Sequence, residues 1–134
     1  MLKSCFRTRA EKAIAFDSAD IYPVISSEFC LGRPVLDIFR AVAEGGAKLV
    51  QLREKHQGKR VLFDLAVACR PIANEYGILL IINDHVDVAL AANADGVHLG
   101  QEDLPLAAAR SLSDTLWLGN STHNLEEALR AQKE

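Results

Sequence analysis

Two cations stand two residues apart in the segment Gln51-Leu52-Arg53-Glu54-Lys55. On an extended segment, side chains at that spacing share a face, so Arg53 and Lys55 can both point at one anion. Arginine grips phosphate oxygens as a fork, and lysine adds a point charge. Further along, Asp84 and Asp103 offer hard carboxylate oxygens. Such ligands suit Mg²⁺, which keeps several waters and commonly binds substrate phosphates. Paired cations with Mg²⁺ carboxylates together describe a diphosphate site. Ser121, near the expected start of the last helix, adds a hydroxyl and helix-terminal amides for the same anion.

Each of these residues also has a plainer role open to it. Glu54 and Lys55 fit a solvated loop. Either Asp84 or Asn83 fits the N-cap of the following helix, and Asp103, shortly before Pro105, fits another. Ser121 or Asn124 can cap the last helix, with Glu126 or Glu127 near the capping-box position. Taken singly these features are weak, and their common placement along the chain is what gives the set weight.

That placement follows from the elements. Short apolar runs fall at Ile21–Ile25, Lys48–Leu52, Ile78–Ile82, Gly96–Leu99 and Leu116–Leu118. Between them lie stretches of helical spacing. The first opens at Pro34 and stops at Gly45-Gly46. The second runs from Arg60 to Glu75, where Pro71 is expected to kink or split it, and Gly77 ends it. The others cover Asp84–Asn93, Pro105–Leu112 and Asn124–Glu134. Strands alternating with helices imply right-handed βαβ units and a parallel sheet. Polar residues gather just after the strands: Gln51, Arg53, Glu54 and Lys55; Asn83 and Asp84; Gln101, Glu102 and Asp103; Asn120 to His123. In parallel α/β folds this is the C-terminal face, where active sites are built. Periodicity alone fits a doubly wound sheet or a barrel equally.

Bulk properties narrow the class. The 134 residues are 49% hydrophobic, with 15 basic and 18 acidic residues giving a net charge of -3. This is ordinary globular composition, and its weak field points to neither nucleic acid nor a membrane surface. No apolar run approaches the ~20 residues of a membrane span. Residues 1–19 carry Lys3, Arg7, Arg9, Glu11 and Lys12, lack the core of a signal peptide, and are expected to form a helical lead-in. Cys5, Cys30 and Cys69 form no CxxC pair and read as reduced structural thiols; a cytoplasmic location is expected. His56, His85, His98 and His123 lack zinc-ligand spacing, and no GxGxxG, Walker A or GxSxG motif occurs.

Four segments resemble one family. Gln51-Leu52-Arg53-Glu54-Lys55 is similar to a QxRxK segment, and Ile81 to Leu90 (IINDHVDVAL) to IINDRVDxAL. Ala94 to Pro105 (ADGVHLGQEDLP) and Gly119 to Asn124 (GNSTHN) resemble ADGVHLGQxDLP and GxSTHN. They occur in the order and spacing of the thiamin phosphate synthase family, over residues 20–134. The resemblance implies a (β/α)₈ TIM barrel of which about the first five βα units are present. It implies a Mg²⁺-assisted transferase in thiamine biosynthesis, joining hydroxymethylpyrimidine diphosphate to thiazole phosphate with loss of diphosphate. It further implies that Gln51, Arg53, Lys55, Asn83 and Ser121 hold the pyrimidine diphosphate, that His98 lines the pocket, and that Asp84 and Asp103 bind Mg²⁺.

Two positions depart from the pattern: His85 stands where the family usually has arginine, and Asn120 where it has a small apolar residue. The family's later strand and its thiazole-phosphate loops have no counterpart in these residues. The chain is therefore expected to be an N-terminal portion whose first and fifth strands are exposed edges, covered in a longer chain or by self-association. Competing expectations are a non-catalytic ligand-binding barrel relative and an inactive fragment.

Overall fold

A computed structural model describes all residues from Met1 to Glu134. Five strands, β1 (Val24–Ile25), β2 (Leu49–Leu52), β3 (Leu79–Asn83), β4 (Gly96–Leu99) and β5 (Trp117–Asn120), form one parallel sheet in the order of the chain. A doubly wound sheet would reverse direction at a switch point. Sequential order with no reversal is the winding of a barrel, and it resolves the ambiguity that periodicity left. As expected, β1 and β5 each have a single neighbour.

Side chains alternate across the strands. One face carries Ile25, Val50, Leu52, Leu80, Ile82, Val97 and Leu99, packed in a single core with α2 (Val35–Glu44), α3 (Lys59–Tyr76), α4 (Val86–Ala91) and α5 (Leu106–Leu112). α6 (Leu125–Lys133) adds Ala131 at its margin. The opposite, concave face carries Leu49, Leu79 and Ile81, and these pack on Ala15 of α1 (Arg9–Asp17). Phe16 of the same helix meets Trp117 with ring centroids 5.4 Å apart. Helix α1 thus covers the lower part of the concave face.

Several boundaries differ from those read in the sequence. Residues 1–8 are not helical: Thr8 accepts from the Glu11 amide and Glu11 reaches back to the Thr8 amide, a capping box that starts α1 at Arg9. The first strand shrinks to Val24–Ile25, because Pro23 has no N–H for the ladder and contributes only its carbonyl, which accepts from Gln51 at 2.9 Å. Pro71 does not split the helix; α3 runs unbroken from Lys59 to Tyr76, held by buried Leu62, Ala66, Cys69, Ile72 and Ala73. Burial along that helix outweighs the lost hydrogen bond, a cost of about 3 kcal/mol. Gly77 closes it in the left-handed region at φ 64°.

The end of the sheet opposite the polar cluster is tied by buried charge. Asp95 and Arg70 are 0% and 1% exposed and form an ion pair at 2.7 Å. Asp95 also accepts from the Leu80 amide at 2.9 Å and from the Ser4 hydroxyl. Lys12 of α1 is buried beside them and donates to the carbonyls of Asp95 and Thr115. Burial lowers the Lys12 pKa, against the pull of the Asp95 charge. Burial also pushes the Cys69 thiol up to about 12, so it stays protonated, as a structural cysteine should. No helix is long and apolar enough to cross a membrane.

Candidate functional site

The concave face turns polar towards the C-terminal ends of the strands. Gln51, Arg53, Asn83, His98 and Ser121 line one cleft of about 420 Å³, together with Val24, Ser26 and Phe29. The sheet register explains the convergence. Asn83, His98 and Gly119 lie at one level across β3, β4 and β5, and Ser121 follows two residues on. Alternation then sends Asn83, His98 and Ser121 to the same side. Another cleft lies along exposed α6, away from all of these residues.

Most of the polar groups are already oriented. Gln51 is buried and donates to the Tyr22 hydroxyl at 2.9 Å. His98 Nε2 lies 2.9 Å from Ser121 Oγ. Burial holds the His98 pKa below its usual value, against the opposing pull of Asp84 and Asp103, so the ring is neutral near pH 7. Gly119 makes room for it: a Cβ there would stand 2.6 Å from His98 Nδ1. Gly119→Ala is therefore expected to displace the ring. The His98–Ser121 contact should disappear from imidazole ¹⁵N shifts, and ligand affinity in the cleft should fall about tenfold, the scale of one hydrogen bond. Unchanged shifts would refute this tight fit.

At the next positions along the strands, Lys55 Nζ meets Asp84 Oδ2 at 2.7 Å, the two side chains being 42% and 16% exposed. Asp84 sits in the left-handed region at φ 63°, a conformation unusual for a residue with a side chain. Its amide donates to the His98 carbonyl at 2.8 Å. Strain of this kind clusters at functional sites. Burial alone would raise the Asp84 pKa, but hydrogen bonds with Lys55 and Asp103, the Lys55 charge and His85 together bring it below the ordinary value. Asp103 lies within hydrogen-bonding reach of Asp84 and also accepts from the Gly100 amide at 2.6 Å. Two carboxylates that close favour a proton or a cation between them. No cluster of three or more metal-ligating His, Cys, Asp or Glu side chains forms in the chain. A cation held by Asp84 and Asp103 would thus complete its shell with water and ligand oxygens, the preference of Mg²⁺.

The capping alternatives are now decided. His85, not Asp84 or Asn83, is the N-cap of α4, and Pro105, not Asp103, precedes α5. Asn124 caps α6, accepting from the Glu127 amide. Ser121 therefore lies at the strand end and brings no helix-terminal amides, which corrects that part of the sequence reading. The Asn120 side-chain Nδ2 donates to the Leu99 carbonyl, and its Oδ1 accepts from Gln101. That departure from the family pattern is thus absorbed in loop structure. Glu54 is not solvated: it is 6% exposed and accepts from the amide and hydroxyl of Ser27 at 2.8 and 2.6 Å. Ser26, Glu28 and Phe29, which the sequence pattern does not single out, follow β1 at the same end of the sheet as every other polar cluster.

A family profile described as thiamine monophosphate synthase matches residues 21–134. The chain belongs to the thiamine monophosphate synthase family. It is 44% identical over 115 residues to the thiamine-phosphate synthase of Shouchella clausii, covering 84% of this chain and 54% of that protein. It is 50% identical over 96 residues to that of Desulfitobacterium hafniense, covering 70% of this chain and 46% of the relative. Among solved structures it is similar to a thiamine phosphate pyrophosphorylase from Pyrococcus furiosus, with TM-score 0.76 and 38% identity over 84% of this chain and 55% of that one. The chain spans about half the length of the curated relatives it matches. Within this family member, the cleft lies at the C-terminal end of the strands, the end at which TIM-barrel enzymes carry their chemistry.

Proposed function

We propose that this chain carries the pyrimidine-diphosphate half of a thiamine-phosphate synthase site. In the whole protein this half serves the joining of hydroxymethylpyrimidine diphosphate to thiazole phosphate. The observation that carries the reading is the meeting of Gln51, Arg53, Asn83, His98 and Ser121 in one cleft, with the Lys55–Asp84 pair on the residues that follow.

The chemistry follows from those groups. The pyrimidine methylene carbon–oxygen bond breaks as diphosphate leaves, and the thiazole nitrogen forms the new bond to that carbon. No protein nucleophile is needed when the thiazole nitrogen attacks. Arg53 and Lys55 take up the charge developing on the leaving diphosphate. Asn83 and Gln51 offer amides to the ring or its diphosphate, while neutral His98 holds the Ser121 hydroxyl towards the same space. Asp84 and Asp103 would hold Mg²⁺, which when bound neutralises diphosphate charge. Retention of Lys55, Asn83, Asp84 and Asp103 argues against a non-catalytic relative.

Calorimetric titration with hydroxymethylpyrimidine diphosphate tests the reading. Binding is expected with Mg²⁺ and at least about tenfold weaker in EDTA, the scale of one charge-assisted contact. A chain that is folded by circular dichroism yet binds nothing in either buffer would reject it.

A further inference from the structure

Arg53 and Lys55 flank a residue that points the other way. Glu54 is 6% exposed and its carboxylate bonds one neighbour: Oε1 accepts from the Ser27 amide at 2.8 Å and Oε2 from the Ser27 hydroxyl at 2.6 Å. Ser27 begins the short 3-10 turn Ser27–Phe29 that follows β1. Ser26 and Phe29, on either side of it, line the cleft. Glu28 of the same turn lies 3.9 Å from Arg53 and 3.5 Å from His56. The turn packs no buried residue of its own, and the buried residues on either side of it are Ser26 and Cys30. A carboxylate out of water must find donors, and here both come from a single loop residue.

We propose that Glu54 is a positioning residue, whose carboxylate pins the β1–α2 loop to the end of β2 and so sets the wall of the cleft that faces Arg53. The inference rests on the diphosphate reading only for what the cleft binds; the pinning is independent of it. Two bonds to one residue fix both the position and the rotation of the turn. Without them the turn, held then only at buried Ser26 and Cys30, can shift away from Arg53 and carry exposed Phe29 with it. Glutamine keeps the shape and can still accept from the Ser27 amide while its own NH₂ donates to the Ser27 hydroxyl. Alanine keeps neither bond.

The test compares Glu54→Ala, Glu54→Gln and Ser27→Ala in the same chain. The first readout is amide hydrogen exchange of residues 26–30 against β3 and β4. The second is calorimetric affinity for hydroxymethylpyrimidine diphosphate with Mg²⁺. In Glu54→Ala, loop exchange should quicken at least about tenfold, with β3 and β4 unchanged, and affinity should fall about tenfold, in line with loss of a charged hydrogen bond. Glu54→Gln should stay within about threefold of wild type in both, and Ser27→Ala should fall between. Wild-type loop exchange in Glu54→Ala overturns the proposal. So does acceleration spread evenly over the chain, which marks a general stability role, or a Glu54→Gln as impaired as the alanine variant. If wild type binds no ligand, the diphosphate reading fails and loop exchange alone decides the pinning. If Glu54→Ala does not fold, the proposal stands on faster loop exchange in Ser27→Ala and falls without it.

Discussion

Asp95→Ala should cost this chain about 3–5 kcal/mol of stability, the range for stripping one partner from a buried ion pair. The variant removes more than one bond. Asp95 Oδ2 accepts from Arg70 at 2.7 Å and from the Leu80 amide at 2.9 Å, and Oδ1 accepts from Ser4. Arg70 would be left buried, charged and unpaired, with its Nε already lacking a partner. The N-terminal segment would lose its Ser4 anchor, while Lys12 still bonds the Asp95 backbone carbonyl. Domains hold only about 5–15 kcal/mol in total, so the loss is a large share. Asp95→Asn keeps acceptor and shape and should cost less. Replacing both partners, Asp95→Leu with Arg70→Met, should be milder than Asp95→Ala, because no orphaned charge remains. Urea denaturation measures all three; a loss below about 1 kcal/mol for Asp95→Ala would show that water or relaxation satisfies Arg70.

Asp95 also marks where the sequence was silent. It stands inside a segment that carried the family resemblance, yet nothing local tells a buried structural carboxylate from a ligand. Its partners Arg70 and Ser4 are 25 and 91 residues away. Glu54 was misjudged for the same reason. Next to Lys55 it has the composition of a solvated pair, and only Ser27, 27 residues earlier, makes it buried. What was legible obeyed local rules. Short, largely apolar runs of three to five residues marked the strands, and their polar followers marked one end of a parallel sheet. Period-two alternation then put Asn83, His98 and Ser121 on one side. Where a local rule competed with burial, burial won, as at Pro71 inside α3. The unusual φ of Asp84 had no signal in the sequence beyond residue type, since aspartate tolerates that region better than most.

That conformation decides how the metal proposal is best tested. Alanine at position 84 would lose the carboxylate and also sit badly at φ 63°, mixing two effects. Asp84→Asn keeps the backbone preference and the shape while removing the charge. With saturating Mg²⁺ its affinity for hydroxymethylpyrimidine diphosphate should fall about a hundredfold, the upper range for losing a charged contact. In EDTA the sign should reverse. Asp84 then stands as a bare anion close to an anionic ligand and occupies Lys55 at 2.7 Å. Asparagine removes the repulsion and releases Lys55, so the variant should bind as well as wild type or better. The pH dependence follows from the same group. Its folded pKa lies below the ordinary value despite burial, chiefly through Lys55 and Asp103. A carboxyl shifted that way contributes stability fully above its unfolded pKa of about 3.9, and loses it as pH falls through the lower folded value. The Mg²⁺ requirement should accordingly be flat from about pH 5 upwards on account of this residue. A loss of affinity in Asp84→Asn that is equal with and without Mg²⁺ would mean that Asp84 supports the fold of the cleft and holds no metal.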